Sequence, residues 1–315
     1  MEDHRGRGPA HRHGGRSLTV PVTITKKMGQ SVIGQGDVCL KRIEYDWFHD
    51  TPILGGVNRS IGTGYHAGNA EGYLQRMHGN PVDVDRMVEA AVHTFYASIE
   101  FDEYTQKPVD QFDWTYQPST YRAPQIVLMP EQAAVVVEQL VRAYWAGNQW
   151  SDDYQTVAVE FSMDMDYPGA PEGWRRGGTV DLILARDGQY ILDDHKTARK
   201  AWAKNKGTPT NPQAAWYVDM WRHHSGSTNV TFAYDVMAIN LNPEDKMAYP
   251  SFERRLAPRT TEQIEATLEK GRMLAQLIDQ GGPFLPSPDS FLCSPHYCDH
   301  WKRCPFGSTL NLEAA

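Results

Sequence analysis

Residues 177–198 read GGTVDLILARDGQYILDDHKTA, and the organisation of the chain is built outward from them. Two aliphatic runs flank Arg186-Asp187-Gly188, a turn signal that joins two β-strands into a hairpin. Strand side chains alternate with period 2. Val180, Leu182 and Leu184 are therefore predicted to bury one face, while Thr179, Asp181 and Ile183 point to the other. In the second strand Asp194 and Lys196 share a face, and Asp193 points the opposite way. Pairing the strands brings the Asp181 and Asp194 carboxylates and the Lys196 ammonium to a common edge. Two hard oxygen ligands beside a lysine suit Mg²⁺ or Mn²⁺ bound next to a phosphate, with water as the nucleophile. Solvated charges at strand ends are also ordinary, and the hairpin alone does not separate these readings.

The flanking sequence does more. Downstream, QAAWYVDMW (213–221) puts Gln213 and Tyr217 four residues apart on one face of a predicted helix. Upstream, GTGYHA (62–67) offers His66, and TVAVEFSMDMD (156–166) offers Glu160 on a strand. The order GxxD strand, DxK strand, QxxxY helix resembles the RecB-like branch of the PD-(D/E)xK nuclease superfamily. That branch also includes AddB and the CRISPR-associated exonucleases with an iron–sulfur cluster. The matched motifs span His66 to Tyr217. The resemblance implies an α/β fold with an αβββαβ core, a mixed sheet flanked by helices. It also implies a metal-dependent DNA exonuclease in which Asp181 and Asp194 ligate the ion, with the carbonyl of His195, His66 and Glu160 as further ligands. Lys196 then orients the attacking water, while Gln213 and Tyr217 position DNA or the lysine. A helix-start cap is the competing role for His66, ordinary helix packing for Tyr217, and a solvent-facing strand position for Glu160.

Periodicity is consistent with that core. A strand is predicted over Val20 to Thr25, the segment Cys39 to Phe48 is ambiguous, and helices are expected near Tyr65 to Arg76, Val84 to Ser98 and Glu131 to Trp145. Strands follow over Gln155 to Met165, Thr179 to Ala185 and Tyr190 to Asp194, then a helix over Pro212 to His223. Asn229 to Asn240 and Phe252 to Leu256 read as strands before a helix from Thr261 to Gln280. The expected organisation is a disordered tail over 1–17 and one nuclease domain over 18–315, with a helical insertion at about 83–150.

Cys293, Cys298 and Cys304 cluster in CSPHYCDHWKRCP, and Cys39 stands far upstream. The start of the chain lacks the apolar stretch of an export signal, so a cytoplasmic setting with free thiols is expected, not a disulfide framework. Four thiolates followed by Pro305 can hold a 4Fe–4S cluster; Zn²⁺ is the alternative, because His296 and His300 lie between the cysteines. The resemblance favours the cluster, since its members place one cysteine before the core and three after it. The CxxxxC spacing at Cys293 departs from the CxxC usual there.

With a net charge of −8, the chain is not coated with basic residues for non-specific DNA binding. A local basic run follows the DxK motif, however: Arg199, Lys200, Lys204 and Lys206, with Trp202 among them to stack on an unpaired base. DNA is the expected partner, and with no Walker A motif any ATP-driven unwinding falls to a helicase or recombination partner. A phage-encoded member and a CRISPR adaptation role are both compatible. A non-cleaving DNA-binding module and an iron–sulfur electron carrier are the other classes; the intact Asp181, Asp194 and Lys196 argue against the first, and the absence of a flavin or nicotinamide fingerprint leaves the second little support.

Overall fold

A computed structural model describes residues 26–49, 55–102, 107–108, 112–116, 125–203, 211–290, 292–294, 298–301 and 303–308. The predicted tail and the predicted Val20 to Thr25 strand lie outside the described residues.

The sheet contains β1 (Lys26–Met28), β2 (Gln155–Asp166), β3 (Trp174–Arg186), β4 (Gln189–Ala198), β5 (Val230–Ala238) and β6 (Ser251–Leu256). β3 and β4 form the predicted hairpin. Arg186 pairs with Gln189 across Asp187 (φ 50°) and Gly188 (φ 76°), and two consecutive left-handed residues match the twist of a two-residue hairpin. β4 runs parallel to β5, which pairs antiparallel with β6. Along one edge of β3 lies β2, antiparallel over Arg175–Ala185. The other edge is divided: β1 runs parallel to Trp174–Arg176, and β4 pairs with Leu182–Arg186. Among the described residues, no strand pairs with residues 177–181 on that edge, so the sheet splays open there.

Helices cover both faces. α1 (Gln30–Val38), α2 (Leu40–Phe48), α6 (Pro212–Ser225) and α7 (Thr261–Asp279) share a core with Val180, Ile183, Leu192, Phe232 and Val236. α3 (Val57–Met77), α4 (Val84–Glu100) and α5 (Pro130–Gly147) share a second core with Leu182, Leu184, Ile191, Ala233 and Met237. This corrects the predicted alternation. Ile183 is buried instead of sharing an open face with Asp181, and Val180 joins Ile183 and not Leu182. The sheet has a helical layer on each side, so a strand residue pointing away from one core enters the other. The ambiguous segment at Cys39 to Phe48 is helical, with Cys39 as the extended residue between α1 and α2. No described helix is long and apolar enough to cross a membrane.

α3 is drawn close to its neighbours by glycines at four-residue spacing. A Cβ at Gly64 would stand 2.8 Å from the Ala91 carbonyl oxygen of α4, and one at Gly68 would stand 2.7 Å from Val141 Cγ2 of α5. Native packing leaves no room for either methyl. Gly68→Val is therefore expected to destabilise the fold by about 1–3 kcal/mol through overpacking. Urea denaturation measures this, and an unchanged midpoint would show that the helical layer yields.

Candidate functional site

The splayed edge of β3 opens into a cleft of about 770 Å³ lined by His66, Glu160, Thr179, Asp181, Asp194, Lys196, Gln213 and Tyr217. β2, β3, β4, α3 and α6 each supply part of it. Asp181 projects from the unpaired stretch of β3, where the backbone N–H of His195 on β4 donates to its Oδ2 at 2.7 Å. Asp194 is buried, and Lys196 Nζ lies 2.7 Å from its Oδ2. Gln213 Nε2 donates to Asp194 Oδ1. Gln213 occupies the first turn of α6 because Asn211 caps that helix, accepting from the Gln213 backbone N–H at 2.9 Å, and Pro212 opens it. Tyr217, one turn on, lies against Gly178, where a Cβ would come within 2.8 Å of its hydroxyl. Any side chain at Gly178 would displace that ring.

From the opposite wall, α3 presents His66, whose Nδ1 is 3.4 Å from Asp181 Oδ2. One ligand atom each from His66, Glu160 and Asp181 falls within 4.8 Å of the others. Glu160 adopts φ 48°, a left-handed conformation that costs a non-glycine residue about 1–3 kcal/mol. The strain falls where β2 turns a carboxylate toward Asp181. Desolvation by the cleft walls, together with Asp181 and Asp194, pushes Glu160 up to about 8, although the side chain reaches solvent at the rim. Burial pushes Asp194 up to about 6 against the opposing pull of Lys196, with Asp181 adding to the rise. Three crowded carboxyl groups and an imidazole nitrogen form a donor set suited to a divalent cation, and the crowding is relieved when one binds.

The imidazole of His195 turns away from the cleft. It is buried, and burial pushes its pKa down to about 3, so it is neutral. Only the backbone of this residue meets the site. Trp202 is half-buried: its ring packs 5.5 Å from Tyr234, with Arg255 5.9 Å above it. That contact holds it against the body of the protein. Arg199 and Lys200 follow β4, and Lys204 and Lys206 lie outside the described residues. The cleft also includes Gln30 and Ser31 from α1 and Asn58, Arg59 and Thr63 from α3, which sequence reasoning missed. Arg59 and Thr63 precede His66 by seven and three residues, so helical spacing from His66 was the available signal.

Cys39, Cys293, Cys298 and Cys304 line a second, smaller pocket with Tyr45 and Trp301. Burial and the three facing thiols push Cys293 above the usual thiol range. His300 is committed to Asp46, 3.0 Å from its Nε2, and stacks on Tyr45; His296 lies outside the described residues.

A family model of the PD-(D/E)XK nuclease superfamily matches residues 55–305. Among solved structures, the chain is similar to a candidate exonuclease from Eubacterium rectale, at 11% identity over 86% of each chain with a TM-score of 0.42. It is also similar to a protein named SSO0001, at 10% identity over 88% of this chain and 95% of that one, with a TM-score of 0.33. No curated protein matches it. The family match covers most of the chain and contains every cleft acid together with His66, Lys196, Gln213 and Tyr217: the protein belongs to the PD-(D/E)XK nuclease superfamily.

Proposed function

We propose that the protein is a divalent-metal-dependent DNA exonuclease of the RecB-like branch, built as one nuclease domain and acting in recombination, repair or phage DNA metabolism. The observation that carries this reading is the grouping of His66, Glu160 and Asp181 opposite the Asp194–Lys196 pair in one open cleft. Bound Mg²⁺ or Mn²⁺ supplies Lewis-acid polarisation of the scissile phosphate and a water acidic enough to attack at neutral pH. Asp181, Asp194 and Glu160 hold the ion with His66 and the carbonyl of His195, and the imidazole nitrogen favours Mn²⁺ over Mg²⁺. Lys196 orients the attacking water and offsets charge on the phosphoryl oxygens in the transition state. Its contact with Asp194 keeps the ammonium at the cleft while leaving it half-exposed to substrate. Gln213 fixes the Asp194 carboxylate by donating to one oxygen, and Tyr217 shapes the floor against which DNA rests.

The basic segment from Arg199 through Lys200 to Lys204 and Lys206 leads DNA away from the metal site, with Trp202 as its anchor. Unwinding, where needed, comes from a partner helicase. Cys39, Cys293, Cys298 and Cys304 hold a 4Fe–4S cluster that joins α1 and α2 to the C-terminal segment.

Three outcomes are expected. On end-labelled linear DNA with Mn²⁺, Asp194→Ala is expected to abolish cleavage and Lys196→Ala to lower the rate at least ~10²-fold; wild-type activity in Asp194→Ala removes the site. The second outcome follows from Glu160. Between its ordinary value of 4.5 and about 8, the folded metal-free protein keeps a proton that the unfolded chain has released. Stability from this group is complete below the lower value and is lost as pH rises through the upper one. Melting of EDTA-treated protein from about pH 5 to about pH 8 is thus expected to fall more steeply in wild type than in Glu160→Gln. Equal slopes would place Glu160 outside the carboxylate group. Finally, anaerobically purified protein is expected to be brown, with about four irons per chain, and Cys298→Ala to lose the colour. A colourless preparation with stoichiometric zinc would establish the other metal.

A further inference from the structure

The face of β4 turned away from the cleft carries a closed polar cluster to which hydrolysis assigns no task. Asp193 and His195 meet Asp235 of β5 there, all buried, with one ligand atom from each within 4.8 Å of the others. That spacing would suit a metal, but the place is filled. Arg254 Nη1, from β6, donates to Asp193 Oδ2 at 2.8 Å and to Asp235 Oδ1 at 2.9 Å. A guanidinium is the resident cation, and two carboxylates buried without one would be left without compensation for their lost hydration.

The hydroxyl of Tyr144, on α5, is the centre of this cluster. It donates to Asp235 Oδ2 at 2.9 Å, and it lies 3.0 Å from His195 Nε2 and 2.9 Å from Tyr73 Oη. A phenol has one proton to give. With that proton on Asp235, Tyr144 Oη accepts from both His195 Nε2–H and Tyr73 O–H, while Tyr73 accepts from Asn148 Nδ2. The chain of donors therefore runs one way, from Asn148 through Tyr73 and Tyr144 to Asp235, and it fixes the His195 tautomer. On the other side of the same residue, the His195 peptide N–H holds Asp181 Oδ2 at 2.7 Å, and Asp194 and Lys196 flank it in sequence. The ring of Tyr65, next to His66 on α3, packs edge-on against both Tyr144 and His195, at 5.8 and 6.3 Å.

We infer that Tyr144 is a positioning residue for the cation site: by anchoring the His195 side chain it fixes the peptide that aims the Asp181 carboxylate into the cleft. The inference rests on the metal-dependent reading of that cleft. Partners beyond the ligands themselves commonly change metal affinity by about 10–100-fold, and here the path from hydroxyl to ligand is a single residue long.

Tyr144→Phe removes the hydroxyl and keeps the ring against Tyr65, Trp145 and Phe252. Calorimetric titration of the metal-free full-length protein with Mn²⁺ is expected to give a dissociation constant at least about 10-fold weaker than wild type, with a cooperative melt retained. In an Asp181→Asn background the same change is expected to add clearly less than it does alone, because the route through Asp181 is cut and only the His195 carbonyl still responds. Wild-type affinity in Tyr144→Phe, or an equal loss in both backgrounds, overturns the inference. Should Tyr144→Phe fail to fold, Asp235→Asn is read in the same way: with the amide oxygen held by Arg254, the NH2 group faces Tyr144 in place of the acceptor, and Tyr144 turns its proton toward His195. A loss coupled to Asp181 supports the inference, and an uncoupled or absent one overturns it. Absence of Mn²⁺ binding by wild type overturns the cleft reading and this inference with it, whereas binding by wild type with an indifferent Tyr144 overturns this inference alone.

Discussion

The hydrogen bond from the His195 peptide N–H to the Asp181 carboxylate forms where the sheet stops pairing with itself, and the rest of the site is arranged around that point. β3 and β4 pair no further than Leu182 and Asp193, and β1 takes up the edge of β3 again only at Arg176. Backbone groups in such a gap need partners. A side-chain carboxylate takes the place of the ladder at His195, and the indole of Trp216 on α6 donates to the Gly177 carbonyl at 3.2 Å. The gap is therefore stable without a strand in it. α3 closes over one side and α6 over the other, and the residues that meet there are His66, Asp181, Asp194, Lys196, Gln213 and Tyr217.

β4 carries acids on both faces, and the two faces meet the cost of burial differently. Asp193, turned inward with Asp235, is matched by Arg254 and closed off by Tyr144. Asp194, turned to the cleft, is matched in part by Lys196, but Asp181 adds negative charge beside it and Glu160 brings a third carboxyl group. The inner cluster contains its own cation, while the outer one faces solvent with carboxylates in excess. Such an excess beside an open cleft is what a divalent ion and a phosphodiester together would balance.

Much of this was legible in the sequence because it depends on short-range spacing. Asp187-Gly188 marked the hairpin turn, two-residue spacing joined Asp194 to Lys196, and four-residue spacing joined Gln213 to Tyr217. Other features depend on distant parts of the chain. Ile183 was expected on an open face, since one strand does not reveal that helices cover both sides of its sheet. The partners of Asp193 come from Asp235 and Arg254, and the partner of His195 from Tyr144, each on a separate element. No local pattern joins them. Arg59 and Thr63 were missed because their link to the cleft is the length of α3, whose start at Val57 precedes the predicted Tyr65. Trp202 was read as an exposed stacking residue because a basic run surrounds it, whereas its ring packs on Tyr234 from β5.

The most direct test of the central claim is a crystal structure of the protein soaked in Mn²⁺, with anomalous diffraction recorded at the manganese edge. The account predicts a peak in the cleft within about 2.0–2.4 Å of the Asp181 and Asp194 carboxylates, with His66 or Glu160 completing the shell. A peak among Asp193, His195 and Asp235 with Arg254 displaced, or no peak at an Mn²⁺ concentration that supports cleavage, would contradict it.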